Sequence, residues 1–166
     1  MHDPGLVLGI GNASRGDDGL GWALLDALAG ENRADIRLEY RYQLAPEDAE
    51  QISRHAWVLF IDAYADSLPG GFSLSPCTPD PAPGLYTHQL NPGAILALCQ
   101  ALYASQPPAC CLLVQGYDWA LGAGISTMAR LHLKRAIVAA RSFIGQPGLQ
   151  TGALPDMIKT GTPTTR

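Results

Sequence analysis

Apolar residues fall in short unbroken runs along this chain, separated by segments where they recur every three or four positions. Leu6–Ile10 and Trp57–Ile61 are continuous apolar stretches of the kind that form parallel strands buried on both faces, and Cys110–Gln115 reads the same way. Ile36–Tyr42 alternates with period two, as in a strand with one wetter face. Gly71–Ser75, bounded by Pro69-Gly70 and Pro76, predicts an edge strand. Between these runs the period lengthens to that of a helix. Leu20, Ala23, Leu24, Ala27 and Leu28 follow a cap at Asp17 or Asp18. A second helix opens at Pro46–Glu50, with proline and acids in its first turn. A third runs from the cap Asn91, with Pro92 at its first position, to about Tyr103. The last is capped by Ser126, carries Met128, Leu131, Leu133, Ile137 and Val138, and ends near Phe143–Gly145. This alternation predicts an α/β fold, a three-layer sandwich whose mostly parallel, twisted sheet of about five strands has helices on both faces. Residues 1–145 read as one domain, and 146–166 turns to Gly, Pro and Thr, predicting a flexible C-terminal tail.

Composition narrows the function. Charged residues make up 16% of the chain, below the usual ~25%, and 11 Lys+Arg against 15 Asp+Glu give a formal charge of −4. A general nucleic-acid binder, which needs clustered cations, is therefore not expected. The apolar fraction of 47% argues against wholesale disorder. No apolar run approaches the ~20 residues of a membrane span, and Met1–Gly5 shows neither a basic nor a long apolar leader. A cytoplasmic monomer that binds neither nucleic acid nor membrane is the expectation. Cys77, Cys99, Cys110 and Cys111 form no C-x-x-C pair, so they read as reduced, mostly buried thiols.

In sheets of this class, ligands sit at the carboxyl ends of the strands near a topological switch point. The polar residues that follow the buried runs are Asn12–Asp18, Asp62 and Gln115–Asp118, and all are expected on one rim. Read as a dinucleotide fingerprint, Gly9–Gly19 fails. Its third glycine position is Ser14, and Asp17 and Asp18 would repel a pyrophosphate. One of these acids suffices as a helix cap, which leaves Asp18 the freer of the two. Asp62 ends a wholly apolar strand, where an acid serves either a turn or a site. His88 lies in a loop just ahead of a helix. Two carboxylates and an imidazole on one rim suit a first-row divalent metal, nickel included. Other constellations are weaker. Ser14 with His88 lacks the G-x-S-x-G elbow of a serine hydrolase. His132 reads as a surface residue, His2 and His55 show no partner, and Trp22, Trp57 and Trp119 read as packing.

Taken together, Gly9–Asn12, Gly16-Asp17-Asp18-Gly19 with Gly21, Phe60–Ala63, His88–Leu90 and Gln115-Gly116 resemble the nickel–iron hydrogenase maturation endopeptidases over roughly Leu6 to Phe143. The resemblance implies a twisted sheet between helices. It also implies an enzyme that removes the C-terminal extension of the hydrogenase large subunit precursor after nickel insertion. The family's nickel-contacting acid, strand-end Asp and His carry over to Asp18, Asp62 and His88, which would act as both metal ligands and catalytic residues. The nickel would arrive in the substrate. Two departures stand out: Asp18 replaces the Glu of some members, and Tyr42-Gln43-Leu44 stands where some branches have an Asp-Gly-Gly turn. The base is left open among Asp17, Asp62 and a water. A second expectation is a non-enzymatic chaperone for the nickel-loaded subunit, and a third is a small-ligand α/β domain.

Overall fold

A computed structural model describes residues 4–81, 90–146 and 148–149. Five strands form one sheet: β1 (Gly5–Ile10), β2 (Ile36–Arg41), β3 (Val58–Tyr64), β4 (Phe72–Pro76) and β5 (Ala109–Gln115). Four helices accompany them: α1 (Leu20–Ala29), α2 (Asp48–Ser53), α3 (Pro92–Tyr103) and α4 (Thr127–Ile144). The strand order is β2-β1-β3-β5-β4, with every pair parallel except antiparallel β4·β5 at the edge. The expected three layers are present.

The strand pleat divides the core in two. Val7, Leu59, Ile61, Leu112 and Val114 face α1 and α4, whereas Leu6, Leu8, Val58, Phe60 and Ala109 face Ile52 of α2 and Ile95 and Leu96 of α3. All six residues of β1 are buried, as a strand covered on both sides requires. Trp57 is almost fully buried, stacks edge-on against Phe143 at 5.7 Å, and leaves no room for a side chain at Gly5. Asn91 caps α3 as expected, its side chain accepting from the Ala94 N–H at 2.8 Å with Pro92 in the first turn.

Helix α4 keeps part of its predicted face, with Leu133 buried and Ile137 packed against the core, and departs from the rest. Met128, Leu131 and Val138 are exposed, and the buried stripe is Ala129, His132, Leu133, Ala136, Ala140, Phe143 and Ile144. Small alanines let the helix lie close to the sheet, so the larger aliphatic side chains turn outward. His132 is thus a core residue. It sits where the side chain of Gly71 would be, since a Cβ there would fall 1.9 Å from His132 Nδ1. His55, expected to lack a partner, has Nδ1 at 2.7 Å from the Gln51 carbonyl oxygen. Leu149, inside the segment read as a tail, is buried in the core with α4, and residues from 150 onward lie outside the described ones. All four cysteines are free. Among the described residues, no helix is long and apolar enough to cross a membrane.

Candidate active site at the switch point

The chain leaves β1 to build β2 on one side and returns to place β3 on the other. The crevice at the carboxyl ends of β1 and β3 is therefore the switch point at which doubly wound sheets bind ligands. Asp18 follows β1 and Asp62 lies near the end of β3, so both predicted acids flank that crevice. His88, the third predicted residue, lies outside the described residues.

Local backbone geometry explains how Asp18 arrives there. Gly11 has φ +142°, and a Cβ on it would fall 2.0 Å from the Asp18 carbonyl oxygen. The Asn12 N–H donates to the Asp18 carboxylate at 3.0 Å and to its carbonyl at 3.1 Å. Gly16–Gly19 then forms a 3₁₀ turn, and α1 begins only at Leu20. Neither acid caps α1 with its side chain. Gly21 lets α1 pass directly over both strands, since a Cβ there would lie within 2.8 Å of the Ile10 and Ile61 carbonyl oxygens.

Asp17 does something the spacing did not reveal. It is fully buried, and its carboxylate accepts from the Tyr117 N–H (2.7 Å), the Asp118 N–H (3.0 Å), the Ser126 N–H (2.7 Å) and the Ser126 hydroxyl (2.7 Å). Burial alone would raise its pKa. The donors from Asp118, Ser126 and Tyr117 outweigh that and hold it below the usual carboxylate value. Ser126 does occupy the cap position of α4, but its hydroxyl goes to Asp17 instead of the helix. Asp17 thus ties the turn carrying Asp18 to the 116–126 loop. Gly116 makes this possible, because a Cβ there would come 2.7 Å from that of Asp17.

Asp62 has the opposite surroundings. Among the described residues its carboxylate accepts one N–H, from Ala63 at 2.8 Å. Burial pushes its pKa up to about 7, the Ala63 bond pulls down, and the negative charge of Asp18 pushes up further. A carboxylate whose charge is disfavoured by burial and by a second acid beside it is suited to a cation or to proton transfer near neutral pH. Among the described residues, no three His, Cys, Asp or Glu side chains converge as a metal-binding set. A full ligand set around Asp18 and Asp62 would need a donor from elsewhere.

The rim around this crevice carries apolar side chains. Tyr42, Tyr117 and Leu121 are exposed there, and Trp119, 38% exposed, packs its ring over Gly116, where a Cβ would fall 2.8 Å from it. Trp22 packs as well, 5.1 Å from Tyr42 and 5.5 Å from Tyr40, with its N–H donated to the Arg41 carbonyl at 3.0 Å. The Tyr117 hydroxyl lies 2.7 Å from His132 Nε2, a further attachment for the 116–126 loop.

No protein-family model matches this chain, and no curated protein matches it in sequence. Solved structures do match in shape. The chain is similar to the hydrogenase maturating endopeptidase HybD from E. coli, with TM-score 0.66, 16% identity, and coverage of 84% of this chain and 90% of that one. It is similar to the nickel–iron hydrogenase maturation protease HycI from Thermococcus kodakarensis, with TM-score 0.66, 19% identity, and coverage of 87% and 94%. A structure of the hydrogenase 3 maturation protease matches with TM-score 0.61, 22% identity, and coverage of 92% and 96%. The chain therefore has the fold of the solved hydrogenase maturation proteases, over nearly their whole length, with Asp18 and Asp62 at its switch point.

Proposed function

We propose that this protein is an endopeptidase that removes the C-terminal extension of the nickel–iron hydrogenase large subunit precursor once nickel has been inserted. Nickel already seated in that substrate is the recognition signal, met by Asp18, Asp62 and His88. The observation that carries this reading is the pair of carboxylates at the switch point, with the Asp62 pKa pushed up to about 7 by burial and by the charge of Asp18. A substrate-borne cation beside them relieves the cost of charging Asp62 next to Asp18, so the site favours the loaded precursor over the empty one.

Hydrolysis adds water across the scissile peptide. Oxygen bonds to the carbonyl carbon, the C–N bond breaks, and a proton reaches the departing amine. Asp17 is unsuited as the base, because both its oxygens are occupied by four donors. Asp62, whose carboxylate accepts only the Ala63 N–H among the described residues, keeps lone pairs free to accept the proton of the attacking water and return it to the amine. Asp18, fixed by the Asn12 N–H, serves as a ligand to the substrate's nickel.

The test is to incubate the protein with nickel-loaded and nickel-free precursor and follow the precursor's mass. Loss of a C-terminal peptide from the loaded form alone is the expected result, abolished in Asp18→Ala, Asp62→Ala and His88→Ala variants that still fold. Tight binding with unchanged mass would make the protein a chaperone for the loaded subunit, and three variants that cut normally would sink the site assignment.

A further inference from the structure

Helix α4 has an outward face that the proposed chemistry does not use. Its 18 residues include Arg130, Lys134, Arg135 and Arg141 and no acid. The whole chain carries a formal −4, so these four cations leave −8 on everything else. Arg141 is matched by Glu31. Arg130, Lys134 and Arg135 ion-pair with no acid among the described residues. Among these cations lie large apolar side chains turned to solvent: Met128 (49% exposed), Leu131 (46%) and Val138 (65%). Leu131, Lys134 and Val138 are spaced three and four apart and share one stripe. The helix follows directly on the 116–126 loop, so this stripe runs from the rim of the site down the side of the molecule.

We propose that the outward face of α4 is a docking surface for an acidic protein patch with apolar residues at its centre. The inference rests on the reading above only in assigning that patch to the precursor being processed. Charge complementarity selects the partner. A membrane of anionic lipid or a nucleic acid is an extended polyanion, and the −8 spread over the rest of this chain would repel it. A protein patch offers negative charge only locally, and beyond roughly 8 Å the remainder is screened at physiological salt. Three exposed apolar side chains interrupted by Lys134 form too small an area to insert into lipid, but they suit the partly dehydrated centre of a protein interface. The cations around them would speed encounter and fix register.

The experiment compares the wild-type chain with Arg130→Glu/Lys134→Glu/Arg135→Glu and with Leu131→Ser/Val138→Ser, all at exposed positions. Thermal melting confirms that each variant folds. Binding to the nickel-loaded precursor and KM for its cleavage are then measured across a salt series. The charge reversals are expected to weaken binding and raise KM at least about tenfold at low salt, with the gap closing as salt rises. The apolar pair is expected to lose severalfold affinity at every salt concentration. Affinity and KM within twofold of wild type for both variants would overturn the proposal. So would wild-type binding to phosphatidylserine vesicles or a DNA duplex that exceeds binding to the precursor. A wild type that binds through α4 but never cuts would refute the protease reading and leave the docking surface standing. Cleavage with wild-type KM in both variants would do the reverse.

Discussion

Asp17 and Asp62 are both withdrawn from solvent at the same end of the sheet, yet their affinities for a proton move in opposite directions. Among the described residues Asp17 has four donors and its pKa is held below the ordinary carboxylate value, while Asp62 has one donor and a negative neighbour and its pKa is pushed up to about 7. Burial raises both. What separates them is how many N–H and O–H groups the fold aims at each. A carboxylate saturated with donors is a structural joint, and one left short of them remains available for a cation or a proton.

Removing the joint gives the largest expected effect. Asp17→Ala orphans three backbone amides and a hydroxyl, and urea unfolding should show a loss of about 3–5 kcal/mol. Because the Asp17 pKa is lowered on folding, its contribution is complete above 3.8 and disappears as pH falls through the folded value. The variant should therefore be flatter than wild type along the acid limb. Asp62→Asn should shift stability the other way. A raised folded pKa means its contribution is full below 3.8 and is lost as pH rises through about 7. Thermal melts should show the variant more stable by roughly 1–3 kcal/mol at pH 8 and equal to wild type below pH 4. A destabilised Asp62→Asn at pH 8 would break the contrast. Ser126→Ala removes one of the four donors to Asp17 while keeping the amide, for a cost of about 1–2 kcal/mol. Tyr117→Phe is the smallest test. Losing the contact with His132 should cost about 0.5–1.5 kcal/mol and speed hydrogen exchange in the 116–126 loop, leaving Asp18 in place.

The sequence made β1, β3 and β5 legible because strands covered on both faces must be continuously apolar. Asp18 and Asp62 were legible by the same route, as the polar residues that follow such strands. Asp17 was not. Its partners lie 100 to 109 residues away, so no local spacing marks it, and the only hint is an acid doublet where one cap would suffice. The inward face of α4 was legible at Leu133 and Ile137 and misread elsewhere for a different reason. Two stripes on that helix share a helical period, and size favours Leu131 and Val138, whereas close packing selects Ala129, Ala136 and Ala140. His132 was misplaced because the space it fills is made by a glycine, Gly71, on another element.

Three of the four bonds that the Asp17 carboxylate accepts from the 116–126 loop come from backbone amides. Any residue except proline supplies such a donor. The side chain at 118 can therefore be exchanged over evolution, or by an engineer, without removing the amide donors to the carboxylate one peptide bond from Asp18. The rim can diversify while the site it surrounds keeps its shape.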